Sequence, residues 1–333
     1  MRKAGLTTSA LAATLLAVVA LSLGACARPQ SAQPPGAHLT VASTPLSTLA
    51  TVPSTVATAA LEQTGSASPT ATATTQTHAA ASQLATPSAP QLPVPIATIT
   101  KPTPIRLMDE PRDLPVPMLM YHVVGDAPKG AALPDLYVPA DKFVDQMNYL
   151  SRNGYHAVTM QQVYDFWHGR GSLPQKPVVI TFDDGFTSDY TVVAPLLKTV
   201  DWPATLFLIV GRNKPRMHPN MVRDMIASGW ELGSHTISHE DLPGLSTRDM
   251  RKEIVTSRAR LRKVYGVPVN FFCYPSGRFN QRAEAEVADA GYLLATTTVS
   301  GLARPDRPYE LRRVRVLGQM SVRGFAAALN SAH

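Results

Sequence analysis

The chain has 333 residues, 44% of them hydrophobic, with a formal charge of +7 and 29 prolines. That length and apolar content suffice for one large or two ordinary domains that fold on their own cores. The modest positive charge comes without a lysine-rich tail, zinc finger or aromatic-basic repeat, which argues against nucleic acid as a partner and leaves anionic cell-surface polymers or lipid headgroups open.

Met1-Arg2-Lys3 is followed by a short apolar run from Leu11 to Leu23. This reads as a signal-peptide core, too short for a membrane span. It ends in Leu23-Gly24-Ala25-Cys26, which resembles a bacterial lipobox. Residues 1–25 are therefore expected to be a lipoprotein signal peptide, and Cys26 to carry a lipid that anchors the protein to the outside of a bacterial membrane. An ordinary signal peptide with a chance cysteine is the alternative. The other cysteine, Cys273, then has no disulfide partner, so the domain must stand on its own packing.

Residues 26–110 are mostly Ala, Thr, Ser, Pro, Gln and Val, with Arg28 and Glu62 the only charges before Lys101. Such a segment buries too little to fold and reads as a disordered tether, with a span of roughly 50 Å. The folded domain is expected over residues 111–333.

Within it, Met118–Tyr121 reads as a strand. Residues 140–153 read as an amphipathic helix with Phe143, Met147 and Leu150 on one face and Gly154 as its stop. A buried strand over 178–182 precedes a helix through Leu196-Leu197, a strand over 205–210, a helix over 221–227 and a strand near Glu231. A helix over Thr247–Tyr265 opens with a Ser246-x-x-Asp249 capping box and closes at Gly266. Strands over 269–274, 292–298 and 314–317 alternate with a helix over 281–290, and a last helix lies near Phe325. About seven βα units predict an α/β fold with a parallel barrel, an open doubly wound sheet being the alternative. No glycine-rich phosphate loop is present.

Asp183-Asp184-Gly185 follows the 178–182 strand, at the end where parallel barrels carry their chemistry. Two adjacent carboxylates raise each other's pKa unless a cation intervenes. A metal on one leaves the other free as a base; an exposed acidic turn is the bland alternative. His235 and His239, four apart in Ser234-His235-Thr236-Ile237-Ser238-His239, share one face of an expected helical turn and can ligate one ion.

These motifs resemble those of the NodB-like polysaccharide deacetylases, carbohydrate esterase family four. Thr181-Phe182-Asp183-Asp184-Gly185 and Ser234-His235-x-x-x-His239 match its first two motifs. Phe272-Cys273-Tyr274-Pro275-Ser276-Gly277 and Met120-Tyr121-His122 are similar to motifs of the subgroup acting on poly-N-acetylglucosamine. The resemblance spans about residues 112–330. It implies a distorted (β/α)7-type barrel and a divalent metal, commonly zinc, on Asp184, His235 and His239. It further implies Asp183 as general base and a backbone N–H near Tyr274 holding the oxyanion. Many members carry a late-strand histidine as general acid. Here that strand reads Leu311-Arg312-Arg313-Val314. His122 is then a candidate acid, and Arg313 resembles an arginine that pairs with Asp183. His38, His78, His156, His168 and His218 read as surface or linker residues. The arginines of the 247–265 helix read most simply as its solvated side.

The activity so implied is removal of N-acetyl groups from an N-acetylglucosamine polysaccharide, whether exopolysaccharide or peptidoglycan. An O-acetyl xylan-type esterase and a non-catalytic glycan-binding lipoprotein are the alternatives. Oligomeric state has no signal in the sequence.

Overall fold

The computed structural model describes residues 98–211 and 217–331. The signal peptide, Cys26, most of the tether, His38 and His78 lie outside the described residues.

Seven strands form the barrel: β1 Met118–Tyr121, β2 Pro177–Asp184, β3 Thr205–Leu208, β4 Glu231–Ser234, β5 Phe271–Cys273, β6 Leu294–Ser300 and β7 Leu311–Arg315. Each pairs in parallel with the next, and β7 pairs with β1 to close the ring. The barrel, not the open sheet, is the fold. Seven helices accompany the strands among the described residues: α1 Ala140–Arg152, α2 Met160–Trp167, α3 Ala194–Lys198, α4 Pro219–Ala227, α5 Thr247–Tyr265, α6 Gln281–Asp289 and α7 Val322–Ser331.

The period-2 alternation of side chains sorts the core into two clusters. Leu119, Tyr121, Ile180, Phe182, Leu206 and Phe272 join the apolar faces of the surrounding helices, including Phe143, Met147 and Leu150 of α1. Met118, Val179, Phe207, Phe271, Leu294 and Leu311 form the second cluster, inside the barrel. Met160, Val163, Phe166 and Trp167 of α2 belong to that second cluster. Helix α2 therefore closes the barrel at the N-terminal ends of the strands.

Several boundaries differ from the sequence-based expectation. Strand β7 begins at Leu311, where the late-strand reading put it and three residues before the apolar run at 314, so Arg313 lies in the barrel wall. The helix before Leu196 starts as a π-helical stretch, Asp189–Val193. At α5 the Ser246 hydroxyl caps the Asp249 N–H and donates to the Asp249 carboxylate at 2.6 Å. That carboxylate is thus held by the hydroxyl, not by the Ser246 backbone. His156 is buried at 6% exposure, in a short strand beside β2, and is no surface residue. His168 and His218 are exposed.

The folded region also begins earlier than residue 111. Leu107–Met108 pairs antiparallel with Leu173–Pro174, Ile99 is 3% exposed, and Thr100 bonds to Asn148 and Ser151 of α1. Among the described residues, no helix is long and apolar enough to cross a membrane.

Candidate active site

The strand ends on the α2-distal face of the barrel bring together side chains from β1, β2, β5, β7 and the loop after β4. Strand β2 delivers Asp183 and Asp184. Asp184 has φ 78° and Gly185 φ 79°, so the chain leaves the strand through two left-handed residues. At Gly185 that left-handed φ favours glycine, and a Cβ there would also push the Leu208 side chain aside. The two adjacent carboxylates meet different partners.

Asp183, at 2% exposure, faces the fully buried Arg313 of β7. The guanidinium forks onto it, Nη1 to Oδ1 and Nη2 to Oδ2, both at 2.7 Å. Its remaining N–H groups reach Thr181 Oγ1 at 3.0 Å, the Thr297 carbonyl at 2.9 Å and Cys273 Sγ at 3.3 Å. All the donors of the fork are thereby used. Burial alone would raise the Asp183 pKa, but the charge and hydrogen bonds of Arg313 outweigh it and hold the carboxyl well below the usual range. The cation that intervenes between the two aspartates is therefore in part a side chain. Thr181 and Cys273, to which sequence reasoning gave no part in this network, complete it; Thr181 stood inside the first motif and Cys273 inside the third.

Asp184 turns to the histidines. Its Oδ1 lies 3.6 Å from His235 Nε2 and 3.8 Å from His239 Nε2. His235 Nδ1 is 2.7 Å from the Cys273 carbonyl, which fixes Nδ1 as a donor and turns Nε2 toward Asp184. The expected helical turn between the histidines is absent: residues 235–239 form an irregular loop. They converge because Thr236 and His239 take left-handed φ values of 67° and 64°, and the Thr236 hydroxyl accepts the His239 N–H at 2.9 Å.

This donor set fits a divalent cation. One carboxylate oxygen and two imidazole nitrogens lie within 4.8 Å of one another. Ligands at about 2.1 Å in a tetrahedral site stand roughly 3.4 Å apart, near the 3.6 and 3.8 Å separations found here.

His122 follows β1 with Nε2 at 4.0 Å from Asp183 Oδ2. Burial lowers its pKa, while the charges of Asp183 and Asp184 pull it back up. Its Nδ1 is buried without a hydrogen-bond partner. Tyr274 is placed otherwise than expected. Its N–H donates to the Thr296 carbonyl at 3.2 Å, within the sheet. Its ring is fully buried, stacked on Phe279 with centroids 4.9 Å apart. Extending the β5–β6 ladder consumes the N–H that an oxyanion would need.

A family model described as polysaccharide deacetylase matches residues 170–295. YxkH of Bacillus subtilis, whose name places it among the polysaccharide deacetylases, is 31% identical over 220 residues, covering 65% of this chain and 76% of that protein. The poly-beta-1,6-N-acetyl-D-glucosamine N-deacetylase of Escherichia coli K12 is 28% identical over 228 residues; the match takes in 55% of this chain and only 34% of that enzyme. Among solved structures, the Streptococcus pyogenes deacetylase PplD in complex with acetate superposes with a TM-score of 0.61 at 28% identity, covering 65% of this chain and 98% of that one. IcaB from Ammonifex degensii gives 0.57 at 26% identity, covering 66% and 98%.

Proposed function

The chain belongs to the polysaccharide deacetylase family, and from that premise we propose that it removes N-acetyl groups from a polymer containing N-acetylglucosamine, using a divalent cation on Asp184, His235 and His239. The observation that carries this reading is the pairing of a three-donor corner with a separate, ionised Asp183 beside it. Two relatives are named as N-deacetylases of poly-β-1,6-N-acetylglucosamine and of peptidoglycan N-acetylglucosamine, which supports the substrate class.

When bound, the cation supplies Lewis acidity to the acetyl carbonyl and to a water beside it. The protein's own groups do the rest. Asp183, kept as an anion by Arg313, accepts the proton of the attacking water. His122, kept neutral at rest by burial, takes that proton from Asp183 at Nε2, 4.0 Å away, and passes it to the nitrogen as the C–N bond breaks, so the products are acetate and a free amine and both side chains return to their starting states. Arg313 also fixes the direction of the Asp183 lone pairs, because a forked contact leaves the carboxylate no freedom to rotate.

Acetate release from poly-N-acetylglucosamine, chitooligosaccharides and peptidoglycan, set against acetylated xylan, tests the assignment. Activity on the amides is expected, lost on chelation and restored by zinc. Activity on the ester alone would sink it. Asp183→Asn is expected to cut turnover by about 10²–10⁴-fold. The location belongs to the same proposal: a lipid on Cys26 would hold the enzyme in the cell envelope, and Cys26→Ala should abolish incorporation of labelled fatty acid.

A further inference from the structure

Residues 235–239 belong to no helix or strand, yet they carry both histidines of the proposed cation site. Two of the five, Thr236 and His239, sit at left-handed φ without being glycine. Such a shape persists only where the surroundings over-determine it.

The surroundings are specific. Glu253 of α5 is 8% exposed and points its carboxylate at the backbone between the histidines. Its Oε2 accepts the Ile237 N–H at 2.8 Å and the Ser238 N–H at 2.9 Å, and its Oε1 accepts the Ser238 hydroxyl at 2.7 Å. One turn along the same helix face, the Ser257 hydroxyl lies 2.8 Å from that of Ser234, the last residue of β4 before His235. On the other side, Val210 and Gly211 donate to the carbonyls of Thr236 and Ile237 at 3.1 and 2.7 Å. The loop is thus gripped at its carbonyls by the β3 extension and at its N–H groups by α5.

We infer that Glu253 is a positioning residue: its carboxylate clamps the 235–239 loop in the strained shape that brings His235 and His239 onto Asp184. This rests on the reading of those three residues as a cation site. The position needs an acceptor long enough to reach the loop from α5: two consecutive N–H groups converge on one oxygen while the Ser238 hydroxyl bonds to the other. An alanine there leaves both N–H groups without that acceptor. His239, with its side chain 22% exposed, has room to swing away once the loop relaxes, whereas His235 stays tied to Cys273.

The test is Co²⁺ affinity of the full chain, read from the visible spectrum and by competition with a chelating dye, alongside circular dichroism. Glu253→Ala, which removes both acceptor oxygens, is expected to weaken binding by about 10–100-fold, the range for residues that orient a ligand, with an unchanged far-ultraviolet spectrum. Ser238→Ala, which removes one of the three bonds and leaves the backbone intact, should show a smaller loss in the same direction. Wild-type affinity in Glu253→Ala overturns the inference. If Glu253→Ala does not fold, wild-type affinity in Ser238→Ala overturns it. Asp184→Ala separates the two levels. Lost binding there with none lost in Glu253→Ala removes the clamp alone, and unchanged binding in Asp184→Ala removes the cation site and the clamp with it.

Discussion

A carboxylate that is almost wholly buried is costly to ionise unless a cation stands against it, and Arg313 stands against Asp183 with every N–H of its fork engaged. Removing either partner strands a charge in the barrel. Asp183→Asn and Arg313→Met are each expected to cost about 3–5 kcal/mol of stability, read from urea unfolding. The double variant should cost clearly less than the two together, because the charge left uncompensated in each single variant is then gone. Additive losses would show that the pair is not coupled. The sequence displayed both residues, and the resemblance linked them, but the depth of the pairing was not visible. It depends on β7 starting at Leu311, three residues earlier than apolar runs alone indicate. Tyr274 shows the opposite case: its motif position was legible, yet whether its N–H is spent in the ladder is fixed only by the register of β5 on β6.

At the scale of elements, the barrel strands were legible because buried parallel strands appear as short continuous apolar runs. Helix α2 was not, although its capping box, Thr159 with Gln162, is present in the chain. Its buried residues, Met160, Val163, Phe166 and Trp167, recur at helical spacing, but eight residues are little more than two turns, too short a window for the period to stand out. Its orientation is set from outside: Glu231 at the start of β4 accepts the Met160 and Gln161 N–H groups at 2.7 and 2.9 Å and the Thr205 hydroxyl at 3.0 Å. These are first-turn donors with no partner inside the helix. Glu231→Ala is expected to cost about 2 kcal/mol, since it leaves buried donors unsatisfied. Amide exchange should rise first in residues 160–167. Uniform acceleration across the barrel instead would show that α2 does not open separately. The 235–239 loop escaped the sequence for a related reason. A histidine spacing of four suggests a helical turn, and nothing local announces that two non-glycine residues will be left-handed.

On the scale of the whole molecule, the unresolved matter in the sequence was where the segment expected to be a tether ends and the domain begins. Composition changes near Pro111, but among the described residues Ile99 is already buried. The segment from 98 to 110 contributes the Leu107–Met108 pairing with Leu173–Pro174, the bond from Gln175 N–H to the Arg106 carbonyl, and the contacts of Thr100 with α1. Polar residues such as Lys101, Thr103 and Arg106 disguise it, because a strap laid over the outside of a barrel needs only an occasional apolar anchor. Those contacts tie α1 to the strand that leads into β2, and β2 carries Asp183 and Asp184. If residues 26–97 are the tether expected from composition, a chain starting at residue 98 should unfold at the same temperature as one starting at residue 26. A chain starting at residue 111 loses the buried Ile99 side chain, worth about 1.5–3 kcal/mol, together with the strap's backbone bonds. It is expected to melt about 5–10 °C lower, using the usual 2–4 °C per kcal/mol for a domain of this size. Equal melting temperatures for the two truncations would place the boundary at 111 and reduce residues 98–110 to part of the tether.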